Sequence, residues 1–121
     1  MFLVTLFLGS LIVVGINIII HSLSFFTMQD KGISSIINTI GELLAGFVVP
    51  LPLLPNLIIN LSEYLPFRLI GDLPFRIYSG NIAGDYAIKC IILQIIWVLL
   101  LMIIGKLIMN KALKKVSIQG G

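Results

Sequence analysis

The sequence predicts an all-α integral membrane protein, and its composition is the first reason. Of its 121 residues, 59% are hydrophobic and 11% are charged, whereas soluble domains carry about 25% charged residues. The mean hydropathy is +1.15, and two stretches are apolar enough to cross a bilayer as helices. One cysteine, Cys90, excludes a disulfide-stapled secreted domain. The length allows a single membrane domain.

The first predicted span occupies residues 1–26. A helix needs roughly 20 apolar residues to cross the hydrocarbon core of a bilayer. The stretch from Phe2 to Ile20 has no charged residue, and the first charge of the chain is Asp30. A cleaved signal peptide fits less well, because no basic segment precedes the apolar stretch and no small-x-small cleavage site follows it.

The second predicted span occupies residues 85–109. The stretch from Cys90 to Gly105 is free of charge. Asp85 is a good N-cap residue for a helix that starts there. Tyr86 and Lys89 stand where interfacial anchors are expected. Gln94, inside this span, is expected to face a neighbouring helix.

The distribution of basic residues predicts the orientation of the two spans. Four lysines and no acid lie at the C-terminal end of the second span and after it: Lys106, Lys111, Lys114 and Lys115. Residues 27–83 contain three basic and four acidic side chains. The positive-inside rule therefore predicts a basic cytoplasmic tail at 110–121, anchored at the lipid surface, and an extracytoplasmic segment at 27–83. The first span then runs outward and the second inward.

The segment between the spans is too apolar for an ordinary loop. Apolar residues recur at helical spacing from Ile33 to Phe47, with Asn38 and Glu42 on the opposite side, which predicts an amphipathic helix. A glycine and prolines end this helix, and Pro55 opens a short second one. We expect a re-entrant pair of helices. Four spans, with crossings at 33–54 and 57–73, is the alternative.

A short internal repeat follows this pair. Leu65-Pro66-Phe67-Arg68 recurs as Leu73-Pro74-Phe75-Arg76. Two tetrapeptides are too short for a repeat array. We expect an interfacial connector in which the aromatic side chains form a belt and the arginines reach toward water.

The sequence contains no recognisable catalytic motif. It has no phosphate-binding loop of the Walker type, no nucleophile beside a base, and no cluster of metal-ligand residues at ligand spacing. We therefore expect no enzymatic activity, no catalytic or metal site and no cofactor. The basic residues are not interleaved with aromatic ones, so nucleic acid is not an expected partner. Glu42 is the acid of most interest, because ionisable residues in apolar membrane segments mark functional sites. The alternative is that Glu42, beside Asn38 and Ser35 on the helix, faces extracellular water.

The order of the motifs carries a family resemblance. Gly32-Ile33 precedes the amphipathic helix, Gly46 with Pro50 and Pro55 follows it, and Leu65-Pro66-Phe67 comes next. The chain ends in a basic helix and Gln119-Gly120-Gly121. This order resembles the C-terminal half of bacterial ABC-2 type permease subunits, in the branch of about six spans that ends in Gln-Gly-Gly. The resemblance covers essentially the whole chain.

The resemblance implies a permease component of an ABC-type export system in the cell membrane. Two permease halves form the pathway in that superfamily, and separate cytoplasmic ATPase subunits drive it. The expected partners are an ABC ATP-binding subunit, the remaining permease half or a second permease subunit, and membrane lipid. The candidate gate and pathway residues are Asn38, Glu42, Gly46, Pro50, Pro55 and Pro66.

One departure from the family leaves other functions open. Such permeases are about twice as long and carry further spans and a coupling helix before the point where this sequence starts, so we expect a partial permease. A small structural or regulatory membrane protein, and a holin-like pore former, are the alternatives.

Overall fold

The computed structural model describes residues 1–27 and 30–120, and this part of the chain is helical without strands. It contains six α-helices: α1 (Phe2–Thr27), α2 (Asp30–Leu44), α3 (Asn56–Ser62), α4 (Pro66–Ile70), α5 (Asp72–Tyr78) and α6 (Gly84–Gly120). A one-turn 3-10 helix, Leu51–Leu53, precedes α3. Two long apolar helices flanking shorter ones confirm the predicted fold class.

Helices α1 and α6 are long enough and apolar enough to cross a membrane. At about 1.5 Å per residue, α1 is about 39 Å long and α6 about 56 Å long. Within their most apolar windows, only 28% of α1 and 22% of α6 is buried inside the protein. A core helix of a soluble protein is mostly buried, so the exposed apolar surface of these helices is typical of contact with lipid.

Helix α6 extends beyond the predicted span at both ends. It begins at Gly84, which places Asp85 in the first turn rather than at the N-cap. It continues past Met109 to Gly120 as one helix. The added turns contain alanine, leucine and lysine, which are strong helix formers. The basic tail is therefore a continuation of α6.

The two long helices run in the same direction. Gln94 of α6 bonds to Thr5 near the start of α1, and the ring of Phe26 at the end of α1 lies 5.4 Å from the Lys115 ammonium. Residue numbers rise together along both helices, so the predicted antiparallel course is wrong. The antiparallel prediction required residues 27–83 to lie at one end of both spans. The segment between α1 and α6 instead connects opposite ends of the helix pair.

The connecting segment returns along α1. Helix α2 starts three residues after the end of α1, and its Ala45 end lies beside Val13 in the middle of α1. Helix α4 then packs near the start of α1, where a Cβ on Gly9 would lie 3.0 Å from the Ile70 carbonyl oxygen. The rings of Phe2 and Tyr78 are 5.0 Å apart. Residues 30–83 therefore carry the chain from one end of α1 to the other.

The turn after α2 uses a glycine in the left-handed region. Gly46 has a φ of 81°, which L side chains rarely adopt, and it ends the amphipathic helix as predicted. Gly71 packs against this turn so closely that a Cβ there would lie 2.9 Å from the Ala45 carbonyl oxygen. Pro55 is the N-cap of α3 rather than its first residue.

The segment with the repeated tetrapeptides forms the short helices α4 and α5, and part of it is buried. Leu69 and Leu73 are both 2% exposed, and Pro66 and Pro74 are buried. The two leucines belong to one apolar cluster with Ile12, Ile82, Ala87, Cys90 and Leu101. The expected connector is thus a packed pair of short helices. Of its aromatic side chains, Phe75 and Tyr78 are exposed.

Disulfide cross-linking tests the parallel course of α1 and α6. The Ser22 Oγ and Met109 Sδ atoms are 3.7 Å apart, so these two side chains face each other across α1 and α6 only in the parallel course. We expect Ser22→Cys with Met109→Cys, in a Cys90→Ser background, to form an intramolecular disulfide under mild oxidation. Mass spectrometry after alkylation of free thiols measures it.

The control for this cross-link uses the native cysteine. In an antiparallel pair, Ser22 would lie near the start of α6, where Cys90 is. Ser22→Cys with Cys90 retained should therefore leave both thiols open to alkylation. A disulfide in this control, and none in the first variant, would contradict the parallel arrangement.

Candidate functional site

A cavity of about 200 Å³ lies between α1, α2 and α4 at the middle of α1. Three polar side chains line it: Asn17 from α1, and Asn38 and Glu42 from α2. The other lining residues are apolar or glycine: Val13, Ile16, Ile37, Gly41, Ala45, Phe47, Phe67 and Ile70. The structure thus brings together two of the predicted site residues and adds Asn17.

Helix α2 presents two different exposed flanks beside its contact with α1. One flank, here called the polar stripe, consists of Lys31, Ser35, Asn38 and Glu42, and all four residues are exposed. Their spacing of three and four residues keeps them on one side of the helix. The other flank is apolar, with Ile36 62% exposed and Ile40 48% exposed. Both flanks are exposed, but one is polar and the other is apolar, so the two flanks suit different surroundings.

Of the two charged residues of the polar stripe, Lys31 and Glu42, only Glu42 lines the cavity. The ion pairs found among residues 1–27 and 30–120 all involve Arg68 or Arg76, and none involves Glu42. An unpaired carboxylate at mid-depth of a membrane is costly unless it faces water or protein. Lipid therefore suits the apolar flank of Ile36 and Ile40 better than it suits the polar stripe.

An ion-pair cluster holds α4 and α5 at the far end of the cavity. The Arg68 Nε donates to Asp72 Oδ2 at 3.2 Å, and its Nη1 lies 3.7 Å from Glu63 Oε1. Arg76 Nη1 lies 3.7 Å from the same Asp72 oxygen. Burial lowers the pKa of Arg68, but hydrogen bonds and charges from Asp72 and Tyr86 outweigh burial, so its pKa lies above the usual value. Arg68 is a permanent cation that orders this turn.

Gln94 connects three helices. Its Nε2 donates to the Thr5 carbonyl of α1 at 3.0 Å and to the Leu69 carbonyl of α4 at 2.8 Å. The side chain is fully buried, which confirms that it faces neighbouring helices. The Leu69 carbonyl lies in the last turn of α4, where helical carbonyls lack an intrahelical donor. The sequence predicted that Gln94 faces a neighbouring helix, but not which carbonyls accept from it, because these depend on how α1 and α4 pack against α6.

The remaining predicted site residues lie away from the cavity. Gly46, Pro50, Pro55 and Pro66 shape the turns that lead from α2 into α4. Pro66 is buried, and Pro50 and Pro55 are exposed. The four lysines of the tail lie on the last turns of α6, where Lys106, Lys111 and Lys114 are exposed.

Comparison with known families identifies the chain. The family model described as ABC-2 family transporter protein matches residues 1–120. The chain belongs to the ABC-2 transporter family. Comparisons with curated proteins and with solved structures gave no match. Family membership confirms the resemblance carried by the order of the motifs.

The family defines what kind of site the cavity belongs to. ABC-2 proteins are membrane transporters rather than classical enzymes, so this chain has a transport permease role in a membrane. Among the described residues, no group of three His, Cys, Asp or Glu side chains could hold a metal ion. The chemistry that the ABC-2 cavity offers is a carboxylate and two amides in an apolar wall.

Replacing Gln94 tests its part in holding α4 within this ABC-2 chain. Gln94→Leu removes both donors and leaves the buried Leu69 carbonyl unpaired. Interhelical hydrogen bonds in membranes contribute about 0.6 kcal/mol on average and up to about 1.7 kcal/mol. We expect the free energy of unfolding in mixed micelles to fall by about 1 kcal/mol. Asn110→Leu, an exposed polar-to-apolar change on the same helix, should leave it unchanged, and equal losses would refute the contact.

Proposed function

We propose that this chain is a permease component of an ABC-type export system, and that the polar stripe of α2 lines the translocation pathway. Hydrolysis of ATP belongs to a separate ATPase subunit, and this chain itself is not an enzyme. The observation that carries the proposal is the polar stripe, which places Glu42 and Asn38 beside a cavity at the middle of α1. Membership of the ABC-2 family supports the partnership with an ATPase.

The position of the proposed pathway follows from the different polarity of the two flanks of α2. Ionisable side chains at membrane depth face a water-filled cavity or another protein. The apolar flank of Ile36 and Ile40 suits lipid, so α2 divides the lipid from the pathway. A second permease half or subunit would close the pathway opposite Glu42, because one chain supplies only one wall.

The parallel course of α1 and α6 supports three crossings of the membrane. Helix α2 and the turns after it provide the return crossing between the two long helices. Lys31 then lies at the same end as Lys106, Lys111, Lys114 and Lys115. The opposite end has three basic residues, Arg68, Arg76 and Lys89, against five at the lysine-rich end. The positive-inside rule therefore places the lysine-rich end in the cytoplasm.

This orientation gives α3, α4 and α5 a position at the extracytoplasmic end of the pathway. Gly46, Pro50, Pro55 and Pro66 set the turns that hold these short helices above the cavity. Backbone that is not helical is tolerated at membrane depth when it is buried in protein or lines a cavity. We assign this region to the outer gate.

Thiol labelling tests the pathway and the orientation together. In a variant without the native cysteine, we expect Ser35→Cys, Asn38→Cys and Glu42→Cys to react with a charged, water-soluble reagent in permeabilised cells. Ile36→Cys and Ile40→Cys should react far more slowly, because a lipid-facing thiol forms little of the reactive thiolate. Both controls are exposed, as are Ser35, Asn38 and Glu42, so a difference in rate reports the surroundings rather than burial.

Sidedness is measured with the same reagent. Lys31→Cys and Ser117→Cys should react only after permeabilisation, and Ser79→Cys should react in intact cells. Labelling of Lys31→Cys in intact cells would contradict the return crossing. Equal labelling of both flanks of α2 would contradict the pathway while leaving the orientation standing.

Copurification tests the role as a permease component. We expect the tagged full chain, extracted from its native membrane in mild detergent, to carry an ABC ATP-binding subunit and a further permease half or subunit. Mass spectrometry of the complex identifies both. A tagged variant with Glu42→Gln should retain the partners, because Glu42 lies in the pathway, but lose ATP-dependent transport.

The alternative functions make different predictions in the same preparation. A holin-like pore former would release a trapped dye from vesicles that contain this chain alone, without ATP. A structural or regulatory protein would copurify with a larger complex that lacks an ATP-binding subunit. Either outcome would replace the permease assignment.

A further inference from the structure

A second cavity, of about 320 Å³, lies at the opposite side of α4 from the candidate pathway. It is formed between the first turns of α6 and the turn that joins α3 to α4. Its lining combines charged, phenolic and apolar side chains: Glu63, Tyr64, Arg68, Leu69, Leu73, Tyr86, Lys89, Cys90 and Leu93. None of these residues lines the first cavity.

The polarity of this cavity changes along α6. Tyr86 and Lys89 lie nearest the start of the helix, and Cys90 and Leu93 lie farther along it. The start of α6 is the end at which the helix enters the membrane, so polar groups lie toward water and apolar groups toward the hydrocarbon. One turn beyond Leu93, Trp97 Nε1 donates to the Tyr64 carbonyl at 3.1 Å and joins α6 to the turn before α4.

The charge of the cavity selects an anion. Arg68 and Lys89 oppose one lining carboxylate, Glu63, which leaves a surplus of one positive charge. Arg68 is already paired with Asp72 and Glu63. Lys89 is exposed, and no carboxylate of the described chain lies within ion-pair distance of it. The Tyr86 side chain, 48% exposed, adds a hydroxyl donor at the same level.

We propose that this cavity binds an anionic phospholipid of the surrounding leaflet. Lys89 pairs with the headgroup phosphate, Tyr86 donates a hydrogen bond to it, and an acyl chain lies against Leu69 and Leu93. A soluble phosphate would occupy only the polar half of the cavity. A phospholipid fits both halves, because its headgroup lies at the water-facing polar half and its acyl chain lies at the apolar half. The lipid site is independent of the proposed export function.

Lipid retention by the full chain tests this site. The protein is reconstituted in a mixture of phosphatidylglycerol and phosphatidylcholine, extracted in mild detergent, and examined by native mass spectrometry. A lysine near an anionic leaflet contributes an attraction that corresponds to about a fivefold change in binding. We expect Lys89→Gln to lower the retained phosphatidylglycerol by about this factor and Lys89→Arg to retain it.

The control is a lysine of the same helix outside the cavity. Lys106→Gln removes the same charge from an exposed position and measures the general attraction to an anionic surface, so it should lower retention clearly less than Lys89→Gln. Equal losses for Lys89→Gln and Lys106→Gln would overturn the proposal, because they would indicate general attraction to an anionic surface. Displacement of the lipid by millimolar inorganic phosphate would overturn it in favour of a soluble anion. Equal retention of phosphatidylcholine would overturn the charge preference.

Discussion

The parallel packing of α1 against α6 is the constraint on which the rest of this structure depends. Two helices that run in the same direction can be joined only by a chain that returns over the same distance. Close approach makes the pairing possible: a Cβ on Gly15 would lie 2.8 Å from Leu101 Cβ, and one on Gly105 would lie 2.9 Å from Ile18 Cγ2. The returning segment brings α2 beside the middle of α1, and with it Glu42.

Hydrogen bonds at this interface fix the position of α4 where apolar packing alone would not. Apolar side chains gain little by leaving lipid for protein, so helices in membranes associate through close packing and interhelical hydrogen bonds. Gln94 supplies two such bonds from a fully buried position. Helix α4 also separates the two cavities, since Ile70 lines the first cavity and Leu69 lines the second. Its placement therefore sets the shape of both.

Much of the fold could be predicted from local patterns, and the errors come from long-range contacts. Runs of apolar residues predicted both long helices, and the amphipathic pattern with Gly46 predicted α2 and its end. The predicted antiparallel course of α1 and α6 was wrong because residues 30–83 connect opposite ends of α1, which the count of their charges could not reveal. Asn17 could not be assigned to the site, since only the packing of α1 on α2 brings it to Glu42. The burial of Leu69 and Leu73 could not be predicted from the connector sequence, because it depends on contact with α1 and α6.

The unbroken course of α6 has a mechanical consequence. The helix is about 56 Å long, whereas a hydrocarbon layer is about 30 Å thick, so the helix is several turns longer than a crossing needs. Between Gly105 and Gly120 the helix contains no proline or glycine at which it could bend. Such a helix is a stiff lever. A tilt imposed near Lys115 displaces the amide of Gln94, and the Leu69 carbonyl bound to it moves along. A displacement at the Lys115 end of α6 thereby reaches α4 through one hydrogen bond.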